Sequence, residues 1–125
     1  MVRPKVLMTS STIPDVAIKI LEEKCDLVVA ETKQEIVSKI KNVDAVFWAS
    51  HLPLDGEIIS AASCLKTVGT MSAGYNHIDV DGLRKRGITL GNTPNVLNDA
   101  VADVAVLLAL AAARRAHEGL ISIQK

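Results

Sequence analysis

The stretch Met71-Ser72-Ala73-Gly74-Tyr75-Asn76-His77-Ile78-Asp79 is where residue types first suggest chemistry. Small side chains at 72–74 let a ligand come close to the backbone, and consecutive N–H groups in such a turn form a nest for an anion. The carboxylate of a small 2-oxo acid fits a nest of this kind. The same residues also describe an ordinary strand-to-helix turn, with Gly74 present for its φ angle and Asn76 or Asp79 as a cap. Spacing alone favours that plainer reading. Asn92-Thr93-Pro94-Asn95 is a second polar turn, and by itself it is structural.

The remaining reactive side chains are sparse. His51 falls in a loop and could touch a ligand, His77 belongs to the turn just described, and His117 lies near a helix C-terminus, where a cation is favourable. None has a carboxylate orienter at a local spacing, so no catalytic role is assigned to any of them. Cys25 and Cys64 have no metal-ligand partner nearby, and no metal site is expected. The glycines at 56, 69, 74, 82, 87, 91 and 119 cannot make a G-x-G-x-x-G, so the chain carries no dinucleotide fingerprint. G-x-x-x-x-G-K-S/T, G-x-S-x-G, C-x-x-C and H-E-x-x-H are missing too.

The elements that must position these turns follow from hydropathy. Strand-like segments occur at 5–9, 26–30, 43–48, 66–70 and 87–91, with helical patterns between them. The first helix is expected to present Val16, Ala17, Ile20 and Leu21, with Ser11 or Thr12 as its cap and Pro14 in its first turn. The second presents Ile36, Val37 and Ile40, and the third Leu54, Ile58, Ile59 and Ala62. A short fourth helix, about 80–86, stops at Gly87. This alternation predicts an α/β fold: a doubly wound, parallel five-stranded sheet. The helices of the first 97 residues already suffice for such a sheet. Ligands of open α/β sheets bind at the carboxyl ends of the strands. That edge collects the loops 10–13, 49–53, 72–77 and 92–97.

The last segment is of another kind. Asn98 is read as a helix N-cap with Asp99 in the first turn, and Asp103 is the only polar residue from Ala100 to Ala113. A single helix over 99–117 would be about 28 Å long and apolar on almost every side. Such a helix must be buried on several sides: it is either a fifth helix flanking the sheet or, as its all-round apolarity favours, one that packs between this domain and something outside it.

Composition narrows the function classes. The 125 residues are 49% hydrophobic, with 14 basic and 14 acidic side chains, so a real core is affordable and no basic stripe invites nucleic acid or a membrane surface. The aromatics are only Phe47, Trp48 and Tyr75, too few for base stacking. The longest apolar run, 104–113, is half of what a membrane span needs. The start shows no signal or transit peptide, and the two scattered cysteines suit reduced thiols, so a cytoplasmic location is expected.

From Leu65 to Arg115 the order is L-K-T-V-G-T-M-S-A-G-Y-N-H-I-D, then G-L-R-K-R-G-I-T-L-G-N-T-P-N-V-L-N-D-A-V-A-D, then an aliphatic helix ending R-R. This order strongly resembles the D-isomer-specific 2-hydroxyacid dehydrogenases, and T-M-S-x-G with T-P-x-V-L-x-D is closest to their glyoxylate/hydroxypyruvate reductases. The first 64 residues fit more loosely. Asn76 stands where many members have Asp, and Asp103 where Glu is usual. The resemblance implies that 1–97 are the N-terminal part of the substrate domain, a flavodoxin-like sheet in strand order 2-1-3-4-5, and 98–125 the helix crossing to a cofactor domain. It implies that Ala73 and Gly74 give backbone donors to the substrate carboxylate and that Asn98 and Val101 lie near the nicotinamide. It also implies an NAD or NADP cofactor, NADPH being favoured, a small 2-oxo acid substrate and a homodimer of the complete protein. The family's Arg, Glu and His that do the chemistry match no position here, so no catalytic residue is assigned and the chain alone is expected to be inactive. A second possibility is a non-catalytic product that dimerises or binds a partner through the 98–117 helix.

Overall fold

A computed structural model describes residues 2–124. Strands β1 (Lys5–Met8), β2 (Asp26–Val29), β3 (Ala45–Trp48), β4 (Thr67–Thr70) and β5 (Thr89–Gly91) pair in parallel, in the order β2-β1-β3-β4-β5. Helices α1 (Asp15–Glu22), α2 (Lys33–Lys39), α3 (Gly56–Ala61) and α4 (Val80–Lys85) connect them, and a 3-10 turn, Ile40–Asn42, prolongs α2. The residues up to Thr93 form one compact unit and those from Pro94 another. The second unit holds α5 (Asn98–Ala113) and α6 (Ala116–Gln124). The parallel pairing is that read from the sequence, and the strand order is the one the resemblance implies.

The register explains the core. Leu7 lies opposite Val46, Val46 opposite Val68, and Val68 opposite Leu90, so these four share one face of the sheet. Ile36, Ile40, Ile58, Ile59 and Leu83 from the α2–α4 side close over it in one cluster with Trp48. The residues expected as stripes of the second and third helices are buried, apart from the half-buried Val37. Leu54, however, precedes α3 and bridges to Ile78, Ala62 is the C-cap of α3, and Ile40 lies in the 3-10 turn. Helix starts are satisfied locally. Thr32 and Glu35 form a reciprocal capping box on α2, Asp55 accepts from the Ile58 N–H at 3.2 Å, and Asp79 accepts from the Gly82 N–H at 2.9 Å. Gly87 takes φ +67 after α4, a backbone state that suits glycine.

The other face is less covered than expected. Val6 and Met8 are buried there, but Ala45, Phe47 and Gly69 are only half-buried and Thr67, Thr89 and Gly91 are exposed. The helices of the first 97 residues therefore do not suffice for the whole sheet. The face of α1 also differs: Ala17, Ile18 and Leu21 are half-buried, whereas Val16 and Ile20 are 66% and 62% exposed. With apolar residues at 16, 17, 18, 20 and 21 the helix offers two neighbouring stripes, and periodicity cannot choose between them. Neither Ser11 nor Thr12 caps it, because Pro14 occupies the cap position. The nearby polar groups are engaged elsewhere: Ser10 Oγ and Thr12 Oγ1 bond each other at 2.8 Å, and the Ser11 N–H donates to Glu31 Oε1 at 2.7 Å.

The long helix is also corrected. Asn98 is its first helical residue and Leu97 the cap without a side-chain bond, so Asn98 is no N-cap. Asn98 Nδ2 instead meets Asn95 Oδ1 at 3.3 Å. The helix stops at Ala113, not at 117. Arg115 adopts φ 50 and its N–H donates to the Ala112 carbonyl, the closing bond of a left-handed helix end, before α6 begins. Arg115 also pairs with Glu118 in α6. No glycine marks this stop, which is why sequence reading ran through it. Apart from the half-buried Ala111, every residue of α5 is exposed, and no described helix is long and apolar enough to cross a membrane.

Surface carboxylates make stability pH-dependent. The Lys66 ammonium and the Lys5 N–H hold Asp44 below its ordinary pKa, and Lys33 with the Ile58 N–H does the same for Asp55. The folded-state values are depressed, so this stabilisation is complete above the unfolded values and is lost as pH falls through the folded ones. Thermal melts should therefore be flat from neutrality to about pH 4.5 and fall below about pH 4. Asp44→Asn should blunt that fall. A variant as acid-sensitive as the parent would remove Asp44 from the account.

Candidate functional site

Parallel pairing gathers the carboxyl ends of all five strands on one edge. Backbone bonds then fasten the loops to each other. The Ala49 N–H donates to the buried Thr9 Oγ1 at 2.8 Å, the Met71 N–H to the Trp48 carbonyl at 3.1 Å, and the Leu54 N–H to the His77 carbonyl at 2.8 Å. Between the loops after β3 and β4 lies a cavity of about 160 Å³ lined by Trp48, Ala49, Ser50, His51, Thr70, Met71, Ser72 and His77. Its floor is rigid: Trp48 is 1% exposed and donates its Nε1–H to the Leu52 carbonyl at 3.1 Å. A larger groove of about 560 Å³ between α2 and α3 is lined by Lys33, Lys41 and Glu57 among others. Its Lys33 is already paired with Asp55 and Glu57, both at 2.7 Å, so it leaves little charge for a ligand.

Beside the smaller cavity runs the turn Ser72–Gly74. Among the described residues, the N–H groups of Ala73 and Gly74 have no acceptor. Their directions are nevertheless fixed. In a planar trans peptide the N–H points opposite the preceding carbonyl. The Thr93 N–H donates to the Ser72 carbonyl at 3.0 Å, which orients the Ala73 N–H. Asn92 Nδ2 donates to the Ala73 carbonyl at 2.8 Å, which orients the Gly74 N–H. The Gly74 carbonyl takes a bond from Ser72 Oγ at 2.6 Å, and Thr70 Oγ1 completes the chain to Ser72 Oγ at 2.8 Å. Two adjacent free donors at an exposed turn suit one anionic oxygen pair.

The reason for Gly74 also becomes clear. It does not take a positive φ, and a Cβ built on it would meet nothing within 4 Å. The turn therefore needs no glycine for its shape, which removes the φ argument of the plainer reading. What glycine leaves there is open space above the amide. Asp79 does cap, so that part of the plainer reading stands.

Asn98 and Val101 sit in the first turn of α5, in the second compact unit, and both are exposed. His51 and His77 line the cavity, whereas His117 lies in the first turn of α6 and not near a helix C-terminus. Among the described residues no group of three His, Cys, Asp or Glu is placed to hold a metal. The donor set does not suit a dinucleotide either. The loops 10–13 and 92–97 contain no glycine, and Asp15 in the first turn of α1 repels phosphate. Sequence reading missed Asn92, Thr93 and Trp48 as parts of the site. Asn92 and Thr93 act on a turn some twenty positions earlier, across a strand pairing that spacing alone does not reveal.

Comparison with known proteins adds to this geometry. The family model described as "D-isomer specific 2-hydroxyacid dehydrogenase, catalytic domain" matches residues 6–123. A glyoxylate reductase of Thermofilum pendens is 41% identical over 124 residues, covering 94% of this chain and 36% of the relative. One of Pyrococcus horikoshii is 39% identical, with the same coverage of both. The chain thus spans little more than a third of the length of these relatives. The crystal structure of a glyoxylate reductase from Paecilomyes thermophila superimposes with TM-score 0.80 at 27% identity, over 93% of this chain and 40% of that one. The TT0316 protein from Thermus thermophilus gives 0.79 at 32%, over 92% and 38%. With the family model covering nearly its whole length and the fold matching, the chain belongs to the D-isomer-specific 2-hydroxyacid dehydrogenases, within their catalytic domain.

Proposed function

We propose that this chain is the carboxylate-binding part of an NAD(P)-dependent reductase that converts small 2-oxo acids, glyoxylate or hydroxypyruvate, to 2-hydroxy acids. The observation that carries the reading is the pair of free, oriented N–H groups at Ala73 and Gly74, placed at the carboxyl edge beside a cavity sized for a small molecule. Charge-assisted bonds from the two N–H groups would seat the carboxylate, and the loops after β3 and β4 would wall the cleft.

In this reading residues 1–97 are the N-terminal part of the substrate domain and 98–125 the link to a cofactor domain, with Asn98 and Val101 near the nicotinamide. The reductant is a nicotinamide cofactor, NADPH in preference to NADH, and the complete protein is a homodimer. Two unpaired thiols, Cys25 and Cys64, agree with a cytoplasmic location. None of the 125 residues is assigned as the proton donor or the polarising cation, so the reduction cannot be completed by these residues alone.

The test is direct. The purified 125-residue chain should show no NADPH- or NADH-dependent reduction of glyoxylate or hydroxypyruvate, whereas a version carried on to the full length of its relatives should show both. Turnover by the short chain would refute the division of labour. Inactivity of both would favour a second reading, a binding module acting through α5, which the exposed Val101, Val104, Leu107 and Leu108 support.

A further inference from the structure

The polar turn after β5 has no assigned task in the proposed reaction, yet it reaches across to the β4 turn in two places. The Thr93 N–H holds the Ser72 carbonyl at 3.0 Å, and Asn92 Nδ2 holds the Ala73 carbonyl at 2.8 Å. Peptide geometry turns these two contacts into control of the next two amides. The first contact comes from the main chain, and any residue but proline could make it. The second depends on a side chain of one length carrying an N–H at its tip. Asn92 is half-buried, next to strand β5, whose Gly91 pairs with Gly69 of β4, so its amide approaches the turn from a fixed base.

We infer that Asn92 is a positioning residue for the anion site: by holding the Ala73 carbonyl it keeps the 73–74 peptide in the orientation that offers the Gly74 N–H to a carboxylate. This deepens the carboxylate reading and rests on it. Without the side-chain donor the 73–74 peptide is free to rotate. A carboxylate must then order it on binding, and affinity falls by the worth of one ordinary hydrogen bond, about three- to tenfold. The effect is local. The Ala73 N–H, governed by Thr93, keeps its direction when Asn92 is replaced.

The experiment is a titration of the 15N-labelled 125-residue chain with glyoxylate and acetate, with acetamide as the uncharged control, followed amide by amide. In the parent both the Ala73 and Gly74 signals should move with either carboxylate and stay still with acetamide. In Asn92→Leu, which keeps the volume and loses the donor, the Ala73 signal should still move while the Gly74 response collapses, and the dissociation constant should rise about three- to tenfold. Asn92→Gln, which keeps an amide donor, should recover part of the Gly74 response. A melting temperature measured on each variant separates this from lost folding, because unfolding would erase both signals together. If Asn92→Leu binds like the parent with both amides responding, the positioning role is wrong and the carboxylate reading survives. If the parent itself shows no response at Ala73 and Gly74, the carboxylate reading fails, and the role of Asn92 fails with it.

Discussion

Trp48→Ala should cost about 3–5 kcal/mol of folding stability, the usual range for truncating a buried aromatic side chain. Trp48 is among the largest fully buried side chains and belongs to the central cluster with Leu7, Ile58 and Val68. Its removal leaves a void under the β3 loop and leaves the Leu52 carbonyl without its indole donor. For a domain of this size the loss corresponds to a melting temperature lower by roughly 10–20 °C. Trp48→Phe should fall in between, since it keeps much of the ring volume but loses the rest of the indole and its N–H. Differential scanning calorimetry measures both. The indole also forms part of the cavity, so the alanine variant should lose carboxylate binding at temperatures where it remains folded. A melting temperature within two or three degrees of the parent would mean that the cluster does not depend on this side chain.

Charging α5 should change the size of the particle in solution. Val101, Val104, Val106, Leu107, Leu108 and Leu110 are each more than half exposed, on several sides of one helix. That is far more apolar surface than isolated soluble chains usually show. Burying such side chains is worth about 1.5–3 kcal/mol each when complete, enough to exceed the cost of association even if only half is covered. At tens of micromolar, a concentration range where such gains suffice, the parent should sediment as a dimer or larger. A Val104→Glu, Leu107→Lys, Leu108→Glu variant should sediment as a 13.3 kDa monomer. Its circular dichroism should match the parent, because the replaced side chains contribute nothing to a buried core. A monomeric parent would show that the exposed helix does not drive association.

The fold was legible because buried parallel strands and their helices write period and punctuation into the chain. Val46 and Val68 in strands, Ile36 and Ile40 in a helix, and Gly87 at a helix end each fall where the reading put them. The errors share one cause: a choice between local options that only tertiary contacts decide. The face of α1 was ambiguous because 16, 17, 18, 20 and 21 are all apolar. The stop of α5 was hidden because Arg115, not a glycine, takes the left-handed backbone. The candidate site was half legible. Small residues at 72–74 can be read from the sequence, and so can a nest. That the nest is held from Asn92 and Thr93 depends on β4 lying beside β5, and the cavity depends on Trp48 closing from β3. Such dependencies belong to the topology and leave no mark on spacing.

The strand order also bears on how the chain is made. β1 is followed by β2 on one side, then β3 on the other, then β4 beside β3 and β5 beside β4. Each strand after the first is therefore synthesised when a neighbour already exists, and at each stage an open edge of the growing sheet waits for the next strand. Translation adds about 5–20 residues per second, so successive strands emerge on the order of one to a few seconds apart. That interval is long against helix formation and chain collapse. The sheet can thus grow outward from β1 as the ribosome delivers it, and the β5 turn that completes the anion site is the last part of that sheet to arrive.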